Sequence, residues 1–189
     1  MTMIAEKPSL QKTYTRDEFL RLPDSVGYEL IDGHLVERHV SAKSSSVAMT
    51  IGALLVGEAR KTGEARVYGS DLTYDCFQQE GSRQRRGDVS LIRIARLADL
   101  EDDPGYMPIP ADLVVEVLSP NDEGYQINRK VEAYLAAGFG LVWVVDPNAR
   151  IAFIHRADGT VTKLHENDEI TGETALPGFR CKVAEFFRT

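Results

Sequence analysis

The stretch ADLVVEVLSP, residues 111–120, decides the fold. It is almost unbroken apolar sequence, as expected of a strand covered on both faces in the middle of a sheet. Alternation along such a strand puts Leu113, Val115 and Val117 on one face and Val114, Glu116 and Leu118 on the other. Glu116 is the single interior charge. An unpaired carboxylate there would cost several kcal/mol, comparable with the net stability of a domain, so it needs a cation or a proton. From residue type alone, a structural ion pair or an exposed strand end beside Ser119-Pro120 explains Glu116 as well as a functional site does.

Working outward, residues 122–137 carry Ile127, Val131, Tyr134 and Leu135 at helical spacing, and Gly138 stands in the C-cap role. LVWVV, residues 141–145, is a second buried strand, with Trp143 a core residue. After the turn Asp146-Pro147-Asn148, stretches 150–155 and 160–165 form a hairpin around Asp158-Gly159, and a short helix near 183–187 closes the chain. On the other side, β-type stretches at 65–69, 72–77 and 88–94 are separated by the basic, turn-rich EGSRQRRG, residues 80–87, and 97–110 reads as a loop. Ser44 to Ser46 can cap a helix carrying Val47, Ile51, Leu54 and Leu55 through about Arg60, with Gly63 ending it. In GYELIDGHLVERHV, residues 27–40, Asp32-Gly33 tolerates the positive φ angles of a hairpin turn. Thr15 and Glu18 are spaced as a capping box, which predicts a helix over 15–22 ending at Pro23. Residues 1–13 are expected to be a flexible tail, and 14–189 one domain.

The 189 residues suffice for one domain with a real core, and 43% hydrophobic with 27% charged residues is ordinary globular composition. A net charge of −7 argues against coating nucleic acid by bulk electrostatics, so any such contact must be local. Cys76 and Cys181 are too few for a thiolate zinc site and read as reduced, which places the protein in the cytoplasm. The segment MTMIAEKPSLQK resembles no export signal, and no apolar run approaches membrane-span length, so no membrane partner is expected. His34, His39, His155 and His165 lack zinc-hydrolase spacing and read as surface or strand histidines. No phosphate-binding glycine loop is present, which leaves no organic cofactor to expect, and no nucleophile elbow surrounds Ser119, which reads as a helix cap.

Two further residues join Glu116. Asp88 opens DVSLIRI directly after Arg83, Arg85 and Arg86; if its strand pairs with the Glu116 strand, a spacing of about 4.8 Å lets both carboxylates reach one metal ion. In isolation Asp88 is an ordinary turn residue. Lys130 sits at the border between the buried and exposed faces of its helix, from which it can snorkel towards the sheet and orient or deprotonate a nucleophile. In isolation it is a solvated lysine. Arg83, Arg85 and Arg86, with Lys43, Arg60, Lys61 and Arg66, are either phosphate contacts or a solvated surface.

GYELIDGHLVE, RRGDVSLI, ADLVVEVLSPND and NRKVEAYLAAGFGLVWVVDP, in that order, resemble the Uma family (Uma-two) within the PD-(D/E)XK nuclease superfamily, over roughly residues 14–187. The resemblance implies a restriction-endonuclease-like α/β core with a mixed central sheet, Mg²⁺ or Mn²⁺ dependence, and hydrolysis of DNA phosphodiesters by an activated water. It matches Asp88 to the metal-binding Asp and Glu116 to the acid of the (D/E)XK strand, adds the Val117 carbonyl as a metal ligand and Glu29 as an acid facing the site. It matches Lys130 to a lysine moved from the strand to the following helix. Two positions depart from the pattern: Gly87 stands where the family has Pro, and Leu118 occupies the superfamily's strand lysine position. Nucleases of this fold often act as symmetric pairs, so a homodimer is expected. The alternatives are a nuclease-fold module of little or no activity that binds nucleic acid or a protein partner, and a small-molecule metallohydrolase, which needs a closed pocket.

Overall fold

The computed structural model describes residues 9–23, 25–77, 83–98, 100 and 105–188. The expected tail therefore lies largely outside the described residues, as do parts of the 80–87 segment and of the 97–110 loop.

Helix α1 (Arg16–Leu20) starts at Thr15, whose hydroxyl accepts from the Glu18 N–H while the Glu18 carboxylate accepts from the Thr15 N–H. Strands β1 (Tyr28–Ile31) and β2 (His34–Glu37) follow as an antiparallel hairpin, with Asp32 and Gly33 at φ 52° and 80°. Helix α2 (Ala42–Thr62) is about 32 Å long. It begins three residues earlier than the serine run suggests. Ser41 is the cap, and Ser44 is the third helical residue that bonds back to it. Gly63, at φ 69°, ends the helix.

Next come β3 (Ala65–Gly69), β4 (Val89–Arg93), the single turn α3 (Ile94–Leu97), β5 (Leu113–Val117), α4 (Gly124–Ala136) and β6 (Leu141–Asp146). Strands β7 (Ile151–Arg156), β8 (Val161–His165), β9 (Glu169–Gly172) and β10 (Leu176–Lys182) complete the set, before a 3₁₀ turn at Val183–Phe187. Residues 72–77, expected as a strand, are irregular: only Tyr74 forms bridges, one to Arg85 and one to Met107. The β9–β10 hairpin was not anticipated, because Pro177 and Gly178 interrupt its alternation and its register shifts between Leu176 and Arg180.

The central sheet has the order β3-β4-β5-β6-β7-β8. β5 and β6 are parallel, joined by the α4 crossover, and the other pairs are antiparallel. Every residue of β5 is buried, Glu116 included, as the otherwise apolar run implies. Leu113, Val115 and Val117 pack with Trp143 against α2 and the β9–β10 hairpin, while Val114, Val142 and Val144 pack with Tyr134 and Phe139 beneath α4. The β1–β2 hairpin has its own small core of Tyr14, Phe19, Leu30 and Leu35. It is tied to the body by paired backbone bonds between Leu30 and Gln84. Both cysteines are free and half-buried. No helix among the described residues is long and apolar enough to cross a membrane.

Candidate active site

The β4–β5 register pairs Val89 with Val115, and continuing it by one residue sets Asp88 opposite Glu116. Both carboxylates line one cavity of about 240 Å³. Its walls are the β1–β2 hairpin, through Ile31 and Val36, the segment that follows it, through Arg38 and His39, and α4, through Tyr125 and Arg129. The cavity opens to solvent along the exposed Tyr125 and Val36.

Glu116 is buried, and each of its oxygens has a donor: Lys130 Nζ at 2.8 Å from Oε2 and the Tyr134 hydroxyl at 2.7 Å from Oε1. Lys130 and Tyr134 stand four residues apart on α4, so they share a helix face one turn apart. The Lys130 side chain runs inward rather than into solvent. Its ammonium also lies 3.1 Å from Glu29 Oε1 and 3.4 Å from the Arg86 carbonyl.

Glu29 reaches the same point from β1 because Leu30 points into the hairpin core and alternation turns its neighbour towards the cavity. Burial alone would raise the Glu29 pKa, yet Lys130, Arg85 and the Arg86 N–H hold it below the ordinary carboxylate range. Arg85 Nη1 lies 3.2 Å from Glu29 Oε2, and the Arg86 N–H donates to Oε1 at 3.0 Å. Glu116 behaves oppositely. Burial pushes it up to about 7, and Asp88 and Glu29 add to the rise against the opposing pull of Lys130. Burial also works against the Lys130 ammonium, but the three surrounding carboxylates outweigh it and keep Lys130 charged beyond its ordinary range. An ammonium held in this way donates hydrogen bonds and neutralises charge.

Asp88 bonds through Oδ2 to the Val117 N–H at 2.8 Å and through Oδ1 to Arg38 Nη2 at 3.2 Å. Gly87 lets the chain pass this close to β5: a Cβ there would lie 2.3 Å from Val114 Cγ2. The residue at the family's proline position is thus in tight contact with the sheet, with no room for a side chain.

Two segments differ from expectation. Arg85 and Arg86 are buried, with Arg86 bonded to Thr73 Oγ1 at 2.8 Å and to the carbonyl oxygens of Tyr28 and Ser25. They tie the hairpin to the body and are not part of a solvated loop. Ser119 does not cap α4; its hydroxyl meets Ser44 Oγ at 2.9 Å, and its N–H donates to Asp122 at 2.6 Å. Sequence reasoning missed Arg38 and the polar role of Tyr134. The Lys130–Tyr134 spacing was the available signal for the second, and His39, read as a surface histidine, also lines the cavity.

The donor set suits a hard divalent cation: Asp88 and Glu116 are oxygen donors on paired strands, and Val117, whose N–H is bound to Asp88, lines the same cavity. Burial is the main cause of the raised Glu116 pKa, with Asp88 and Glu29 adding to it, and a cation between the acids would favour the ionised form. Glu29 is engaged by Lys130 and Arg85. Among the described residues no three His, Cys, Asp or Glu side chains are arranged to hold a metal ion by themselves.

A family model named Uma2 and described as "Putative restriction endonuclease" matches residues 16–184. No curated protein sequence matches the chain. A solved structure described as "a putative nuclease belonging to DUF820 from Anabaena variabilis ATCC 29413" superposes with a TM-score of 0.78. It is 18% identical in sequence, over 92% of this chain and 97% of that one. The two share a fold, with a mixed six-stranded sheet at the centre of this one.

Proposed function

Since this chain belongs to the Uma2 family of restriction-endonuclease-type proteins, we propose that it is a divalent-metal-dependent endonuclease acting on DNA, with its site at Asp88, Glu116, Lys130 and Glu29. The supporting observation is that the Lys130 ammonium, although carried on α4, lies 2.8 Å from Glu116. Leu118, where the superfamily has its strand lysine, is thereby compensated from the next element.

Asp88, Glu116 and the Val117 carbonyl would hold Mg²⁺ or Mn²⁺. When bound, the ion supplies a water of lowered pKa and Lewis-acid stabilisation of the phosphoryl group. The chain's own side chains orient the rest. Tyr134 and Lys130 fix the two oxygens of Glu116, so its carboxylate needs no reorganisation. The Lys130 ammonium places a fixed positive charge where negative charge grows on the phosphoryl oxygens. Glu29 is a positioning residue: anchored by Arg85 and the Arg86 N–H, it remains anionic and keeps Lys130 protonated. Arg38, which holds one Asp88 oxygen, would share that carboxylate with the cation. The cavity of about 240 Å³ is open, and is below the roughly 300 Å³ at which small-molecule pockets begin, which disfavours a small-molecule hydrolase.

The test combines Mn²⁺ binding by calorimetry with cleavage of supercoiled plasmid and of a single-stranded oligonucleotide. We expect Mn²⁺-stimulated cleavage, lowered at least about a hundredfold by Asp88→Ala and by Lys130→Ala. A protein that neither binds Mn²⁺ nor cuts, with no change on Asp88→Ala, contradicts the proposal. DNA affinity without metal-stimulated cleavage, indifferent to Lys130→Ala, identifies a binding module that has lost turnover.

A further inference from the structure

Three depressions follow one another from the candidate site, each sharing lining residues with the next. The first cavity shares Arg38 and Asp88 with a hollow of about 480 Å³ between α2 and β3. That hollow shares Val56, Val67 and Tyr68 with a third, of about 290 Å³, which Arg60 and Arg66 also line. From Ser45, which lines the second, to Arg60, which lines the third, α2 advances about 22 Å. Asp88 therefore stands inside a trough, with space on both sides of it.

The lining of the trough is unusual in two respects. Among the described residues, eight large apolar side chains are exposed, and four of them stand on it. Tyr125 (61% exposed) and Val36 (39%) are on the first cavity, and Met49 (75%) and Val40 (63%) are on or at the second. The cations closest to the acids are already engaged: Arg38 by Asp88, Arg85 by Glu29, Lys130 by Glu29 and Glu116, and Arg86 by backbone carbonyls. Arg129, on the first cavity, and Arg60 and Arg66, at the far end, are exposed and form no ion pair among the described residues.

A protein that grips a duplex neutralises many phosphates, which a chain of net charge −7 with few free cations along this track is poorly equipped to do. Apolar and aromatic platforms with sparse phosphate contacts are the equipment for unpaired strands, whose bases stack on them. We propose, building on the nuclease reading above, that the trough binds single-stranded nucleic acid. Bases on one side of the scissile phosphate rest against Tyr125 and Val36, and those on the other against Val40 and Met49. The backbone passes Arg38 and leaves over Arg60 and Arg66. Continuity with the candidate acids favours this occupant over a protein: Asp88 lines two of the three segments.

The test uses the full chain with Ca²⁺ in place of Mg²⁺, and fluorescence anisotropy with a labelled oligo-dT and a duplex of equal phosphate number. The variant pairs are Tyr125→Ala/Met49→Ala and Arg60→Ala/Arg66→Ala, all at exposed side chains, with circular dichroism to verify folding. We expect single strands to bind at least about tenfold more tightly than duplex, and the first pair to lose roughly fivefold to a hundredfold of that affinity. The arginine pair should weaken binding and flatten its salt dependence. Equal or tighter duplex binding, or single-strand binding indifferent to both pairs, overturns the inference. So does a concentration-dependent dimer dissolved by the Tyr125/Met49 pair, which would make the trough a contact between copies. Single-strand binding without metal-stimulated cleavage keeps this inference and removes the nuclease reading, whereas preferential duplex cleavage does the reverse.

Discussion

Replacing Lys130 by methionine removes the ammonium but keeps the length and most of the volume of the side chain. In metal-free buffer Glu116 then loses its only ion-pair partner among the described residues, while Glu29 retains Arg85 and the Arg86 N–H. Removing one member of a buried ion pair costs roughly 3–5 kcal/mol, because the other charge is left uncompensated. The cost depends on pH through Glu116. Its folded pKa, about 7, lies above the ordinary 4.5, so the folded state binds the extra proton. The stability linked to that proton is present in full below pH 4.5 and is lost as pH rises through 7; it amounts to about 3 kcal/mol. Without Lys130 the folded pKa rises further, and the window of loss extends above pH 7. Urea unfolding at pH 5.5 and pH 8.5 should therefore show the full penalty of roughly 3–5 kcal/mol only at the higher pH, and less than half of it at the lower. An equal penalty at both pH values, or one below about 1 kcal/mol at pH 8.5, would refute the buried Lys130–Glu116 contact.

Gly87→Ala brings a Cβ to 2.3 Å from Val114 Cγ2, so β4 or β5 must shift at a cost of about 1–3 kcal/mol. The melting temperature should fall by roughly 2–10 °C, and a melting curve identical to the parent's would show that the sheet yields freely there. Burial pushes the thiols of Cys76 and Cys181 up to about 12, so both remain protonated at pH 8. Their reaction with a disulfide reagent should be at least about a hundredfold slower than that of the urea-unfolded chain, and rapid native labelling would contradict the packing around them.

What was legible in the sequence was the part governed by near neighbours along the chain. The capping box at Thr15 and Glu18, the Asp32-Gly33 turn, the α4 periodicity ending before Gly138 and the two apolar runs that became β5 and β6 all appear where the residues implied. The start of α2 differs because four serines, Ser41, Ser44, Ser45 and Ser46, can compete for the cap, and only the geometry of Ser41 against Ser44 selects one. Residues 72–77 have the right residue types for a strand. Yet Tyr74 is held by single bridges to Arg85 and Met107, partners that local sequence cannot specify.

The sequence by itself determined that a carboxylate stands inside a buried strand, and that it needs something positive beside it. The sequence offered Lys130 as a candidate, and only the tertiary structure set it against one Glu116 oxygen, with Tyr134 at the second and Glu29, Arg85 and Arg86 assembled around the ammonium. The reason is the range of the forces. Caps, turns and apolar periodicity act over a few residues and leave a pattern in the chain, whereas the Coulomb field of a buried group depends on distances in space between residues dozens of positions apart.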